Sequence, residues 1–315
     1  MATVSEALSL TQEETLTKEP LTPTQLAWRR FRRHKMAMFG LLLLAALIVY
    51  VVGGAFVLSE KFANFNDVGI KLRAPSAAHP FGTDAIGRDI LARTIYGGQI
   101  SLIIGLAAVG VALVVGVTVG AVSGYYGGWI DSILMRFTEA LLCIPQLFLL
   151  IVAAKYLGSK IPNFEMLGRT FSGSVIVIIL IIGLDSWMYL ARIVRSQMLS
   201  LKEQEFVTAA RCTGTSNAAI IFYHILPNSI APIIVNATLG VAGAILTEAY
   251  ISFLGLGVRP PTATWGNMLE DANRYLETAP WLWFFPGLMI LLTVLAINFV
   301  GDGLRDALDP RARAE

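Results

Sequence analysis

Six stretches of this chain are long and apolar enough to cross a membrane, and nothing else in the sequence limits the fold as strongly. They fall at about residues 36–58, 100–123, 133–154, 174–191, 229–252 and 281–301. A hydrocarbon core roughly 30 Å thick takes about 20 helical residues to span. Backbone in lipid must also satisfy its own hydrogen bonds, which makes helices the spanning element for runs of this kind. The expected class is an all-α integral membrane protein with six transmembrane helices. Composition agrees, with 55% hydrophobic and 15% charged residues, where a soluble domain carries about 25% charged. The formal net charge of +2 gives no case for nucleic acid. Cys143 and Cys212 have no CxxC spacing and read as reduced packing residues, implying neither a disulfide framework nor a metal site.

Residues 1–25 are rich in Thr, Glu and Leu without a sustained period and read as a flexible cytoplasmic tail. The basic cluster WRRFRRHK at 28–35 then leads into the first apolar run. That run exceeds the roughly 7–15 residues of a signal core and has no small-x-small cleavage site, so it is an uncleaved first span with its start held in the cytoplasm. Residues 26–99 form the basic segment, first helix and external loop; residues 100–303 form a core of five helices, and 304–315 a cytoplasmic tail. Six spans place the long polar loop 192–228 on the cytoplasmic side.

That loop holds the longest polar interruption of the second half, SLKEQEFVTAARCTGTSNAAIIFYHILPN at 200–228. Ser200 and Glu203 have capping-box spacing, Gly214 can end a helix in the left-handed conformation, and Thr215 or Ser216 can cap a second helix. Pro227 should stop that second helix near Leu226. The expectation is two short helices around a glycine hinge. An apolar face made by Phe206, Ala209, Ala210, Ile220 and Ile221 is available to seat in another protein's groove.

Within the membrane, Gly97, Ser101, Gly105, Ala108, Ala112, Gly116, Gly120 and Gly124 form a small-residue stripe that predicts close helix–helix packing. Arg136 and Glu139, three apart, predict an ion pair at a helix end. Pro145 should kink the third span. Asp185, near Arg192, reads as half of a structural ion pair at the cytoplasmic interface, with a proton relay as the alternative. Asn236, Gly240, Ala244 and Glu248 recur every four residues, polar at both ends and small between. That face either lines a translocation path, with Glu248 near the external mouth, or hydrogen-bonds neighbouring helices. Trp265, Trp281 and Trp283 suit an interfacial aromatic belt. In the first external loop, HPFGTD at 79–84 and GRD at 87–89 predict a structured loop held by Arg–carboxylate pairs.

Several of these motifs resemble one family. Ala209-Ala210, Gly214 and Leu226-Pro227 are similar to the EAA loop of ABC-importer permeases, with Thr208 where that motif has glutamate, Glu205 a turn earlier, and His224 where isoleucine is common. HPFGTD…GRD, then SFLGLG…PP…WG at 252–266 and Asp309-Pro310-Arg311, look like the C-type subunit of dipeptide and oligopeptide importers. The resemblance spans about residues 24–311 and implies a type I ABC importer permease fold with a cytoplasmic coupling-helix hairpin. It further implies ATPase coupling through Glu205, Ala209, Ala210, Gly214, His224, Leu226 and Pro227. The implied partners are a second, different permease, two ATPase subunits and an external solute-binding protein. No cofactor belongs to this chain, since ATP and Mg would sit on the ATPases. The implied setting is a bacterial or archaeal plasma membrane with both termini cytoplasmic.

Enzyme chemistry finds no support. The chain has no Gly-Lys dipeptide, hence no GxxxxGK[ST] phosphate loop, and neither HExxH nor GxSxG occurs. The expected function is the permease subunit of an ATP-driven peptide importer. A same-branch importer of nickel chelates or glutathione-like molecules is the alternative. From another class, an ion-coupled secondary transporter would need paired, interrupted inverted halves, and no such pair is visible.

Overall fold

A computed structural model describes residues 22–158, 160–166 and 169–309. Most of the tail assigned to 1–25 therefore lies outside the described residues, as do Pro310 and Arg311 of the C-terminal motif. The exception is instructive: Thr22 caps helix α1 (Pro23–Arg33) in a reciprocal capping box with Gln25. Residues 23–25 thus belong to a helix and not to the tail. The chain turns at His34, whose extended backbone ends α1 and whose Nδ1 accepts from Ala37 N at 3.0 Å to start α2 (Lys35–Val57).

Among the described residues five helices are long and apolar enough to span: α2, α3 (Ile90–Tyr126), α6 (Ser174–Leu201), α9 (Ile230–Phe253) and α11 (Trp281–Leu308). A sixth span exists if α4 (Gly128–Leu142) and α5 (Gln146–Leu157) are taken together. The expected kink at Pro145 is a full break of 83°. Pro145 has no N–H to continue the ladder and precedes α5 with a non-helical ψ of 113°, so the apolar run becomes two helices. Between α5 and α6, strands β1 (Phe164–Met166) and β2 (Arg169–Phe171) pair antiparallel, with Phe164 and Phe171 stacked at 5.6 Å.

Helix α3 begins ten residues earlier than its apolar run implies, because Asp89 caps it by accepting from Ala92 N at 2.8 Å. Its small-residue stripe is the spine of the molecule. A Cβ placed on Gly116, Gly120 or Gly124 would lie within 3.0 Å of α6 atoms, at Trp187 O, Ala191 O and Met198 Cβ respectively. The upper part of the stripe meets other neighbours, with Gly105 against Ile245 of α9 and Gly97 against Thr264. Where the helices touch this closely, dispersion between packed backbones replaces the hydrophobic drive that lipid does not supply.

The end of the molecule that carries residues 79–89 is a polar clamp. Arg88 Nε lies 2.5 Å from Asp84 Oδ2 and its Nη2 3.2 Å from Asp271 Oδ2. His79 Nδ1 sits 2.9 Å from Asp89 Oδ2. The HPFGTD and GRD segments are thereby fastened to α10 (Trp265–Ala272). Trp265 does not join an interfacial belt: it is fully buried, and its Nε1 donates to Thr94 O at 2.8 Å. Trp281 donates to Thr83 O at 3.2 Å, and Trp283 alone of the three is exposed.

Candidate functional site

The polar loop after α6 forms a hairpin whose inner face is packed on α3 and α6. Helix α6 does not stop at Ser200, and no capping box with Glu203 forms. Met198, buried beside Gly124, keeps the helix packed on α3 as far as Leu201. Helix α7 (Glu205–Cys212) follows from an extended Gln204. It ends as a Schellman motif: Thr215 N donates to Ala210 O at 3.1 Å, and Gly214 N to Arg211 O at 3.0 Å, with Gly214 at φ +76°.

Ser216 caps the next helix, α8 (residues 217–228), accepting from Ala219 N at 3.4 Å. Pro227 does not end α8. The turn before it widens into a π-helix over Ile220–Ile225, and Leu226–Asn228 return to α-helix. A proline cannot donate to the carbonyl one turn back and its ring crowds that carbonyl. A widened turn accommodates both.

The hairpin's outward face differs from the expected one. Ala210, Ile220 and Ile221 are buried with Val207 and Ile225 against Tyr125, Val194 and Met198 of the same chain. Phe206 and Ala209 stay exposed, together with Glu205, Gly214, Pro227 and the unforeseen Phe222 and Tyr223, the last 78% exposed. His224 and Leu226 are half-buried. Tyr125, at the end of α3, braces both helices. Its hydroxyl donates to Asn217 Oδ1 at 2.8 Å, and the Arg211 guanidinium lies 5.7 Å from its ring centroid. The sequence signal for Tyr125 was its place directly after the last small residue of the stripe.

Next to the hairpin, a cavity of about 840 Å³ opens between α4, α6 and α9. Its lining includes Thr138, Glu139, Tyr189, Arg192, Gln197 and Asn236. One edge is held by Arg195, which donates from Nε and Nη2 to the two oxygens of Asp131 at 2.6 Å each. Nothing in the spacing of Asp131 and Arg195, 64 residues apart, could have marked this pair. Arg136 Nη1 lies 3.2 Å from Glu139 Oε2, and both side chains are exposed. Asp185 does not pair with Arg192. The break at Pro145 instead carries Gln146 to it, and Gln146 Nε2 donates to Asp185 Oδ2.

The four-residue stripe of α9 enters this cavity at one end only. Asn236 lines it, Gly240 is half-buried near Val109, and Ala244 lies in the core with Ile104 and Ala108. Glu248 is fully buried, accepting from Ser252 Oγ at 2.7 Å and Ser101 Oγ at 3.4 Å. Ser101 also accepts from Trp265 N at 3.2 Å, which ties α3, α9 and α10 together at the end of α9 away from the hairpin. Outside this seal, a second recess of about 470 Å³ lies beside Gly255, Glu270 and Asp271. Partial burial first, and the neighbouring Asp271 charge second, push the Glu270 carboxyl up, against the opposing pull of Arg274.

Comparison with known proteins places this arrangement. Residues 116–314 match the family described as binding-protein-dependent transport system inner membrane component. Residues 22–75 match the N-terminal TM domain of oligopeptide transport permease C. A dipeptide transport system permease protein of Alkalihalophilus pseudofirmus is 41% identical over 93% of this chain and 92% of its own length. An oligopeptide transport system permease protein of Haemophilus influenzae is 41% identical over 92% and 89%. A Bacillus subtilis dipeptide permease protein is 40% identical over 96% and 90%.

Proposed function

The chain belongs to the family of binding-protein-dependent transport system inner membrane components, and from that premise we propose that it is one permease subunit of an ATP-driven peptide importer. Peptides are the substrate class because the similar proteins named above are dipeptide and oligopeptide permeases. The subunit is a multi-pass inner-membrane protein, and its proposed orientation puts both termini in the cytoplasm. In the proposed complex it pairs with a second permease, two ATPases that carry ATP and Mg, and an external solute-binding protein. It performs no hydrolysis itself.

The observation that carries this reading is the two-sidedness of the hairpin. One face is packed into α3 and α6, while Glu205, Phe206, Ala209, Gly214 and Tyr223 stand free on the other. In the proposed mechanism the ATPases bear on Glu205, Ala209, Gly214 and the π-helical turn around His224, Leu226 and Pro227, with Ala210 anchoring the motion to the core. Because α7 and α8 are braced on Tyr125, displacement there carries α3 and α6 with it as one packed block. The route follows the α9 stripe. Asn236 and Gly240 line its inner end, Ala244 the middle, and Glu248 the outer end, which is sealed in this conformation and opens when the block rocks.

The test is uptake in proteoliposomes holding the complete complex. Peptide accumulation that needs ATP and the binding protein, and that survives a protonophore, is the expected result. Uptake that collapses with the ion gradient alone would assign the chain to ion-coupled carriers. ATP-driven uptake of a nickel chelate or glutathione, without peptide uptake, would keep the machinery and replace the cargo.

A further inference from the structure

We propose that α1 is a docking surface for anionic phospholipid, a charged anchor lying on the bilayer beside the root of the first span. The helix has two dissimilar sides. Phe31 is buried against Ala37 and Ala307, and a Cβ on Gly303 would lie 3.1 Å from its ring, so this side is seated on the end of α11. At about 100° per residue, Arg29 and Arg33, two residues either side of Phe31, project from the side opposite it, with Arg32 adjoining. Arg30 and His34 are engaged by the fold: Arg30 Nη1 donates to Asp309 O at 3.3 Å, and His34 Nε2 lies 3.4 Å from Asp306 Oδ2. Arg29, Arg32, Arg33 and Lys35 are exposed, and among the described residues none of the four forms an ion pair.

Position selects the occupant. Lys35 is the first residue of a membrane span, so these four cations sit at the headgroup level of the bilayer that α2 crosses. Trp28, 54% exposed and stacked on Phe31 at 5.9 Å, presents an amphipathic ring at the same level. A basic helix with an aromatic edge, seated on the end of α11 by its own apolar side, fits anionic headgroups by charge and by depth. Each cation near such a surface is worth about fivefold in binding, so Arg29, Arg32 and Arg33 together supply about a hundredfold. The seat of Phe31 on α11 makes the contact relevant to the fold: lipid charge holds α1 down, and α1 ties the first span to the last.

The test uses the full chain in nanodiscs of phosphatidylcholine alone or with phosphatidylglycerol added. A Thr24→Cys label, in a background carrying Cys143→Ser and Cys212→Ser, reports quenching by headgroup-spin-labelled lipid. We expect stronger quenching with phosphatidylglycerol, reversed by high salt. It should be lost in the Arg29→Gln/Arg32→Gln/Arg33→Gln variant and kept in the matching Lys variant, because headgroup attraction needs charge and not a guanidinium fork. Equal quenching in both lipid compositions would overturn the proposal. So would phosphatidylglycerol dependence that survives the Gln variant, or one that appears only after deleting residues 2–21 with their four glutamates. The last result would mean that the chain's own tail, not lipid, occupies the patch.

Discussion

The Tyr125 hydroxyl donates to Asn217 Oδ1 at 2.8 Å, joining the end of α3 to the second arm of the 205–228 hairpin. The same ring lies under the Arg211 guanidinium of the first arm. One side chain therefore indexes both arms to α3. Tyr125→Phe removes the hydroxyl and keeps the ring, so it should cost about 1 kcal/mol of stability and leave assembly intact. If the hairpin drives α3 through this contact, peptide moved per ATP hydrolysed will fall several-fold while ATPase activity persists. The ratio of uptake to hydrolysis in proteoliposomes of the whole complex checks this.

Gly214 has φ +76° and is exposed, and a Cβ added there would meet nothing within 4 Å. Side-chain bulk at this position is therefore felt by whatever docks there and not by the chain itself. Backbone strain alone costs about 1 kcal/mol for most residues and less for Asn. Gly214→Asn should preserve uptake, and Gly214→Trp should abolish it with thermal stability of the isolated subunit changed by only a few degrees. Undiminished uptake by the Trp variant would remove the hinge from the docking surface.

Much of this was readable from spacing. The four-residue recurrence of small residues on α3 predicted close packing, and Gly116, Gly120 and Gly124 lie against α6 backbone. The glycine hinge was legible because a positive φ needs glycine. What spacing could not show was partnership across the chain. Asp185 looked toward Arg192 on its own helix, but its partner, Gln146, comes from α5 after a break whose 83° angle no periodicity encodes. Trp265 had the composition of an interfacial residue, yet Thr94 and Ser101 fix it in the interior. The hairpin's apolar residues were visible as a set. Which of them faced inward depended on Met198 and Tyr125, residues of neighbouring helices.

The α3–α6 seam gives a prediction about stability. A Cβ on Gly120 would stand 2.5 Å from Ala191 O and 2.8 Å from Val194 Cβ, where the obstacle is backbone and cannot swing aside. Gly120→Ala should lower stability by about 1–3 kcal/mol, and Gly120→Leu should prevent assembly of the complex. Gly110 on the same helix has open space around it. Gly110→Ala should be neutral or slightly stabilising, since alanine favours helix by up to about 1 kcal/mol. Thermal unfolding of the detergent-solubilised subunit distinguishes the two glycines.

Glu248 separates a path from a brace. Its two oxygens accept from Ser252 and Ser101, and Ser101 in turn accepts from Trp265 N, so the carboxyl group closes the end of the α9 stripe far from Asn236. Replacement by Leu leaves the two hydroxyls without their acceptor in a dry site, at about 1–3 kcal/mol each, and should cut thermal stability sharply. Replacement by Gln keeps the shape and an acceptor oxygen but adds a donor where two donors already point, so the seal is altered and not removed. If the outer end must open for cargo to pass, Glu248→Gln will lower uptake several-fold with normal assembly. Wild-type uptake by the Gln variant, set beside an unstable Leu variant, would leave Glu248 as a brace between α3, α9 and α10 and confine the path to Asn236 and Gly240.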